Sequence, residues 1–132
     1  MEKKRFHHIG IACRNIEEGK RDLQKLFPGT EFNQTVFDKE QGASLCMATV
    51  DDGVRMELIS GDPVCNLVAE NVSVYHLCFE VGDMDKAISE MTEGGAILVS
   101  ETKPAVLFGA KRVAFPYSPA GLVELVEEKR GA

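Results

Sequence analysis

Tryptophan is absent and tyrosine occurs only twice in 132 residues. Flat aromatic ligands are commonly held by such rings, so their scarcity argues mildly against a domain that only sequesters one. Basic excess is absent too: 15 Lys and Arg stand against 21 Asp and Glu, a net charge of −6. That argues against a broad nucleic-acid footprint, though not against a local basic pocket for an anion. The four cysteines, Cys13, Cys46, Cys65 and Cys78, never fall in CxxC spacing. The chain is also long enough to bury a core without staples, so a disulfide framework is not needed. All four read as reduced thiols of a cytoplasmic protein. No apolar run approaches the ~20 residues of a membrane-spanning helix. Residues 1–5 lead straight into a strand without a long apolar region, so no signal peptide is expected. No Gly/Ser linker divides the chain, and no local motif of the HExxH kind is present.

What is present is an ordinary soluble composition, 44% hydrophobic and 27% charged, sized for one domain. Its organisation is a repeat. The stretch Tyr75-His76-Leu77-Cys78-Phe79-Glu80-Val81 alternates apolar and other residues as a buried strand does. A helix follows it, opened by Asp83 and striped by Met84, Ala87, Ile88 and Met91. Phe6-His7-His8-Ile9-Gly10-Ile11-Ala12 has the same form. Its helix is opened by Asn15 and Glu18 in a capping-box arrangement and striped by Ile16, Leu23, Leu26 and Phe27. Gly19 weakens that helix and Pro28-Gly29 ends it.

Further strands are expected at 31–37, 43–50 and 54–60, with Asp51-Asp52-Gly53 as a hairpin turn. A connector covers 61–73. The second unit adds strands at 96–101, 110–115 and 122–127, with a loop at 102–109. The order is βαβββ, connector, βαβββ: module one at about 5–60 and module two at about 74–127. This predicts an α+β fold in which two paired βαβββ modules curl their helix-free sheet faces around a shared cleft. His8, Gly10 and Ala12 would face it from one module, and His76, Cys78 and Glu80 from the other.

Each module carries one His in its first strand and one Glu in its last. His8 precedes Asn15 by seven residues, and His76 precedes Asp83 by seven. His8 to Glu57 spans 49 residues and His76 to Glu124 spans 48. Two imidazoles and two carboxylates suit a borderline divalent ion such as Zn, Ni, Co, Mn or Fe. Taken singly, a strand His is more often a hydrogen-bonded core residue and a strand Glu a solvated one. Recurrence at matched places favours the metal reading.

His-Ile-Gly-Ile-Ala at 8–12, Glu-Leu-Ile at 57–59, His-Leu-Cys-Phe-Glu-Val at 76–81 and Glu-Leu-Val at 124–126 resemble the vicinal oxygen chelate superfamily. That superfamily includes glyoxalase I, methylmalonyl-CoA epimerase, extradiol dioxygenases and bleomycin or fosfomycin resistance proteins. The resemblance covers about residues 5–127. It implies one divalent metal ion (Zn, Ni, Co or Mn) held by His8, Glu57, His76 and Glu124. His8 rather than His7 matches the family's His-Ile-Gly position, and Glu80 is a candidate to support the ligands from behind.

Four ligands, one in each terminal strand of both modules, argue against the three-ligand dioxygenases. Asp38-Lys39-Glu40-Gln41-Gly42 resembles the Glu-Gln-Gly turn of methylmalonyl-CoA epimerases, which implies Glu40 as an acid/base. The bland alternative is a charged turn residue. Epimerisation needs proton exchange at both faces of one carbon; Glu124, or a water on the metal, is the candidate for the second face.

The expected activity is therefore metal-dependent epimerisation of an acyl-CoA thioester. A glyoxalase I-like lyase acting on a glutathione hemithioacetal is the alternative, and a non-catalytic small-molecule binding or resistance protein a further one. Departures keep these open, together with an unfamiliar isomerase or lyase of secondary metabolism. Leu58-Ile59-Ser60-Gly61 stands where epimerases carry Leu-Leu-Glu-Pro, and the His-Pro-Lys before the last strand is missing. Lys103, Lys111 and Arg112 are candidate contacts for CoA phosphates. The partner is a small-molecule substrate, with a homodimer conceivable through edge strands and neither nucleic acid nor membrane involved.

Overall fold

The computed structural model describes residues 1–105 and 111–128, with side chains described for 1–100 and 111–128. The fold is α+β. Strands β1 (Lys4–Ala12), β2 (Glu31–Phe32), β3 (Val36–Asp38), β4 (Ala43–Thr49) and β5 (Arg55–Gly61) accompany helix α1 (Ile16–Leu26). After a short helix α2 (Cys65–Ala69) come β6 (Val74–Val81), α3 (Met84–Glu93), β7 (Ile97–Ala105), β8 (Lys111–Ser118) and β9 (Gly121–Glu127). Among the described residues no helix is long and apolar enough to cross a membrane.

The chain divides into two compact units, His8–Tyr75 and a second made of Met1–His7 with His76–Ala132. In the His8–Tyr75 unit, β1 pairs with β5 in parallel, β5 with β4 antiparallel, and β4 with both β2 and β3 antiparallel. The other unit repeats that plan: β6 pairs with β9 in parallel, then β8 and β7 follow antiparallel. Each unit is thus a βαβββ motif with its first and last strands side by side. A helix between them makes the parallel pairing reachable.

Alternation sets what each sheet face does. In the His8–Tyr75 unit, Cys46, Ala48 and Leu58 meet Cys13, Ile16 and Leu23, with Ile11, Met56, Phe27 and Phe32 packed around them. In the other unit, Val81, Ala114, Val123 and Leu125 meet Met84 and Ala87, flanked by Phe79, Ile88 and Met91. Both helices start as expected. The Asn15 side chain accepts the Glu18 N–H at 2.8 Å, and the Asp83 side chain accepts the Lys86 N–H at 3.0 Å. These caps satisfy amides that the helix itself leaves unpaired.

The structure corrects the reading of α1. Leu26 is exposed, at 71%. The buried stripe runs instead through Ile16, Gly19 and Leu23. A Cβ on Gly19 would lie 2.7 Å from Cys13 Sγ and 3.4 Å from Leu58 Cδ1. The glycine that seemed a helix weakness is what lets α1 approach its sheet.

Other boundaries differ as well. The single strand expected at 31–37 is two short ones, β2 and β3, and the connector holds α2. β7 continues through residues 102–105, where a loop was expected; 106–109 of that loop lie outside the described residues. The first strand does not belong wholly to module one. Glu2 accepts the N–H groups of Gly82 and Asp83 at 2.7 and 2.9 Å, its own N–H reaches Glu90 at 3.0 Å, and Phe6 packs edge-on against Phe79. Arg5 pairs with Glu128. These contacts place residues 1–7 with module two.

Candidate metal centre

In the His8–Tyr75 unit the parallel register aligns Gly10 with Glu57 and Ile11 with Leu58. Ile11 and Leu58 belong to the cluster under α1. Side chains alternate along a strand, so His8, Gly10 and Glu57 occupy the opposite, helix-free face. His8 stands two residues before the one aligned with Glu57. Since that aligned residue is glycine, nothing separates the carboxylate from the imidazole. His8 Nε2 lies 3.5 Å from Glu57 Oε1.

The other unit builds the same arrangement from different neighbours. Cys78 aligns with Glu124 and Phe79 with Leu125. His76 stands two residues before Cys78, as His8 does before Gly10. His76 Nε2 lies 3.1 Å from Glu124 Oε1. The Phe115 ring meets the imidazole edge-on, centroids 5.9 Å apart and planes at 70°. Cys78, Val113 and Val126 form the apolar wall beside it. Glu80 is half-buried, two residues further along β6 and aligned with Val126.

None of His8, Glu57, His76 and Glu124 exposes more than 5% of its surface. Burying a carboxylate is costly unless a hydrogen bond, a counter-charge or a metal compensates. Each pair suits a metal in donor type and in spacing. Donors about 2.0–2.2 Å from a common ion are separated by roughly 3.0 Å at octahedral right angles and about 3.4 Å at the tetrahedral angle. The observed 3.1 and 3.5 Å match these two edges. Each unit therefore presents a buried His–Glu pair able to hold two positions of a divalent ion. His7, the competing histidine, is only half-buried.

Glu40 is exposed in the turn between β3 and β4, and its backbone N–H donates to Asp38 Oδ1 at 3.0 Å. The turn ends at Ala43, which pairs with Gly61, four residues beyond Glu57 on β5. Arg112 reaches Asp85 at 3.1 Å and Glu127 at 3.5 Å, and Lys111 is half-buried. The Lys103 side chain lies outside the described residues.

Two features had no signal in the sequence. Asp38 is buried at 3% exposure inside its own turn. A cavity of about 440 Å³ lies on the α1 side of the His8–Tyr75 unit, lined by Ile11, Cys13, Glu18, Leu23, Leu58 and Val72 among others. Desolvation pushes the Cys13 thiol up to about 11, so it stays protonated and unreactive at neutral pH. The His8–Glu57 pair faces away from this cavity, which contains no imidazole.

The profile of the Glyoxalase/Bleomycin resistance protein/Dioxygenase superfamily matches residues 7–115. The uncharacterized protein YwkD of Bacillus subtilis (strain 168) is 31% identical over 97% of this chain and 100% of its own length. The ethylmalonyl-CoA/methylmalonyl-CoA epimerase of Cereibacter sphaeroides is 23% identical, covering 84% of this chain and 86% of its own. A methylmalonyl-CoA epimerase solved in complex with methylmalonyl-CoA and NH4+ superposes with a TM-score of 0.73 at 24% identity. It covers 96% of this chain and 95% of its own.

Proposed function

The chain belongs to the glyoxalase/bleomycin resistance protein/dioxygenase superfamily, and on that premise we propose that it is a divalent-metal-dependent epimerase acting on an acyl-CoA thioester such as methylmalonyl-CoA. One observation carries the reading: the same buried His–Glu pair, in the same parallel register, occurs once in each βαβββ unit. Likeness to epimerases over most of the chain supplies the substrate class. His8, Glu57, His76 and Glu124 would hold one ion between them. When bound, that ion supplies Lewis-acid polarisation of the thioester carbonyl, which makes the neighbouring C–H more acidic.

The chain's own groups do the rest. Glu40, exposed within its turn, takes the α-proton from one face of the carbon as a general base. Glu124 is the candidate to return a proton on the other face, giving the inverted centre. The half-buried Phe115 and the buried Val113 keep bulk water from the imidazole and so strengthen every charge interaction there. General acid–base catalysis of this kind is worth typically 10²–10⁴-fold.

The exposure of Glu40 keeps a second reading in play. In a glyoxalase I-like lyase a ligand glutamate moves the proton and Glu40 would be dispensable. One experiment separates the two. Metal-replete protein is incubated with methylmalonyl-CoA in D₂O, and loss of the α-proton signal is followed by NMR. Exchange is expected, with Glu40→Gln abolishing it at unchanged metal content. An absence of exchange, alongside turnover of a glutathione hemithioacetal, would replace the epimerase reading with the lyase.

A further inference from the structure

Asp38 stands out among the buried polar residues that the metal reading does not use. It closes β3, opposite Ala43 on β4, and exposes 3% of its surface. Its carboxylate points back into its own turn. Oδ1 accepts the N–H of Glu40 at 3.0 Å and, more weakly, that of Gln41 at 3.4 Å. Oδ2 accepts the Gln41 side-chain amide at 3.0 Å. The Asp38 carbonyl accepts the Gly42 N–H at 2.9 Å.

The turn is fixed at its other end too. The Asp62 N–H donates to the Gly42 carbonyl at 3.1 Å, and Gly61 packs so tightly on that carbonyl that a Cβ would come within 2.3 Å of it. An unbroken series of contacts therefore runs from the Glu40 backbone through Asp38 and Gly42 to the end of β5, the strand that carries Glu57. A surface turn does not require this. The 51–53 turn of the same unit is built wholly from exposed residues. Burying a carboxylate to organise five residues is costly unless its hydrogen bonds are made, and here they all converge on the segment around Glu40.

We propose that Asp38 is a positioning residue: it fixes the Glu40 backbone relative to β5, so that the Glu40 carboxylate is presented at the substrate's α-carbon in one place. The inference rests on Glu40 being the acid/base of the epimerase reading. Asp38 itself touches no substrate; it acts through the turn. Misplacement of a reacting group by about 1 Å costs on the order of 10²-fold in rate.

The test uses three variants of the full chain, assayed for α-proton exchange of methylmalonyl-CoA in D₂O, with kcat and KM separated and bound metal measured. Glu40→Gln calibrates the assay and should lose about 10²-fold or more in kcat. Asp38→Ala removes both acceptors and leaves the Glu40 and Gln41 N–H groups of the turn without the carboxylate. Its kcat should fall roughly 10- to 100-fold, with KM and metal content within about twofold of the parent. Asp38→Asn keeps an oxygen for the Glu40 N–H, and the Gln41 amide can turn over to accept from the new Nδ2, so it should recover kcat. A residue that merely stabilises the fold would lower metal content and melting temperature along with kcat.

If Glu40→Gln is inactive while Asp38→Ala keeps full kcat, the positioning role is overturned and the Glu40 reading stands. Loss of kcat in Asp38→Ala that Asp38→Asn fails to restore overturns it equally. If Glu40→Gln exchanges at the parental rate, or the parent does not exchange, the acid/base reading falls and the positioning role falls with it.

Discussion

Gly61→Ala is the substitution whose cost can be worked most directly from the geometry. Gly61 has φ +113° and ψ −157°, a region essentially reserved for glycine. An L-residue held there costs about 1–3 kcal/mol. The new Cβ would also sit 2.3 Å from the Gly42 carbonyl oxygen and 3.1 Å from Ala43 Cα. Both obstacles are backbone, so neither can rotate aside. Relief means separating β4 from β5 where Ala43 pairs with Gly61, and loosening the Asp62–Gly42 hydrogen bond, worth about 1 kcal/mol. Together these give a destabilisation of about 3 kcal/mol or more.

Gly53→Ala supplies the control. Its φ is +75°, yet nothing lies within 4 Å of the added Cβ, so only the conformational cost of about 1–2 kcal/mol applies. Urea unfolding monitored by circular dichroism, compared at equal m-value, measures both. The gap between the two variants should be at least about 1 kcal/mol. Equal destabilisation would mean that the Gly61 contact relaxes at no cost, and the close-approach argument would be refuted. Because Gly61 holds the Glu40 turn, the same variant should also lose α-proton exchange while keeping its metal.

Elemental analysis of His76→Ala should show bound metal lost; full retention would remove His76 from the ligand set. A disulfide reagent at pH 8 should titrate one thiol quickly in the native protein, Cys65, the others being buried; a second fast thiol would contradict the packing around α1. Raising the pH should cost stability through Cys13, whose folded value of about 11 exceeds the 9.0 of an ordinary thiol. Its contribution is whole below about pH 9 and is lost as pH climbs through 11, so Cys13→Ala should show a shallower alkaline fall in melting temperature. Leu58→Ala should cost about 2–5 kcal/mol in urea unfolding and Leu26→Ala under about 0.5, because the first is fully buried and the second mostly exposed.

Much of the fold was legible in the sequence because its signals are local. Strict alternation over 75–81 located β6, which runs from Val74 to Val81. Asn15 and Asp83 marked both helix starts, since capping needs only residues three apart. The preference for His8 over His7 came from family likeness and strand parity; His8 is buried beside Glu57 and His7 is half-buried, and the ligand role itself is left to metal analysis. What stayed hidden depends on partners far along the chain. Gly19 counts against a helix until Cys13 and Leu58 press on it. Asp38 looks like an ordinary turn former until its burial is known. The continuation of β7 through 102–105 is written in β8, against which Lys103 and Ala105 pair, and not in its own Glu-Thr-Lys-Pro-Ala. The role of Glu40 was an inheritance from likeness, and its exposed turn leaves that role to the exchange assay.

The allegiance of residues 1–7 limits how this protein can be taken apart. The repeat invites the view that the gene is two cassettes joined near residue 73, each free to be excised, duplicated or shuffled. The contacts say otherwise. A fragment beginning at Val74 would lack Glu2, which occupies the amides of Gly82 and Asp83 at the mouth of α3, and Phe6, which covers Phe79. The complementary fragment would carry those seven residues with nothing of their own unit to dock on. The opening residues of the first half serve the second, so recombination at the apparent seam breaks a unit.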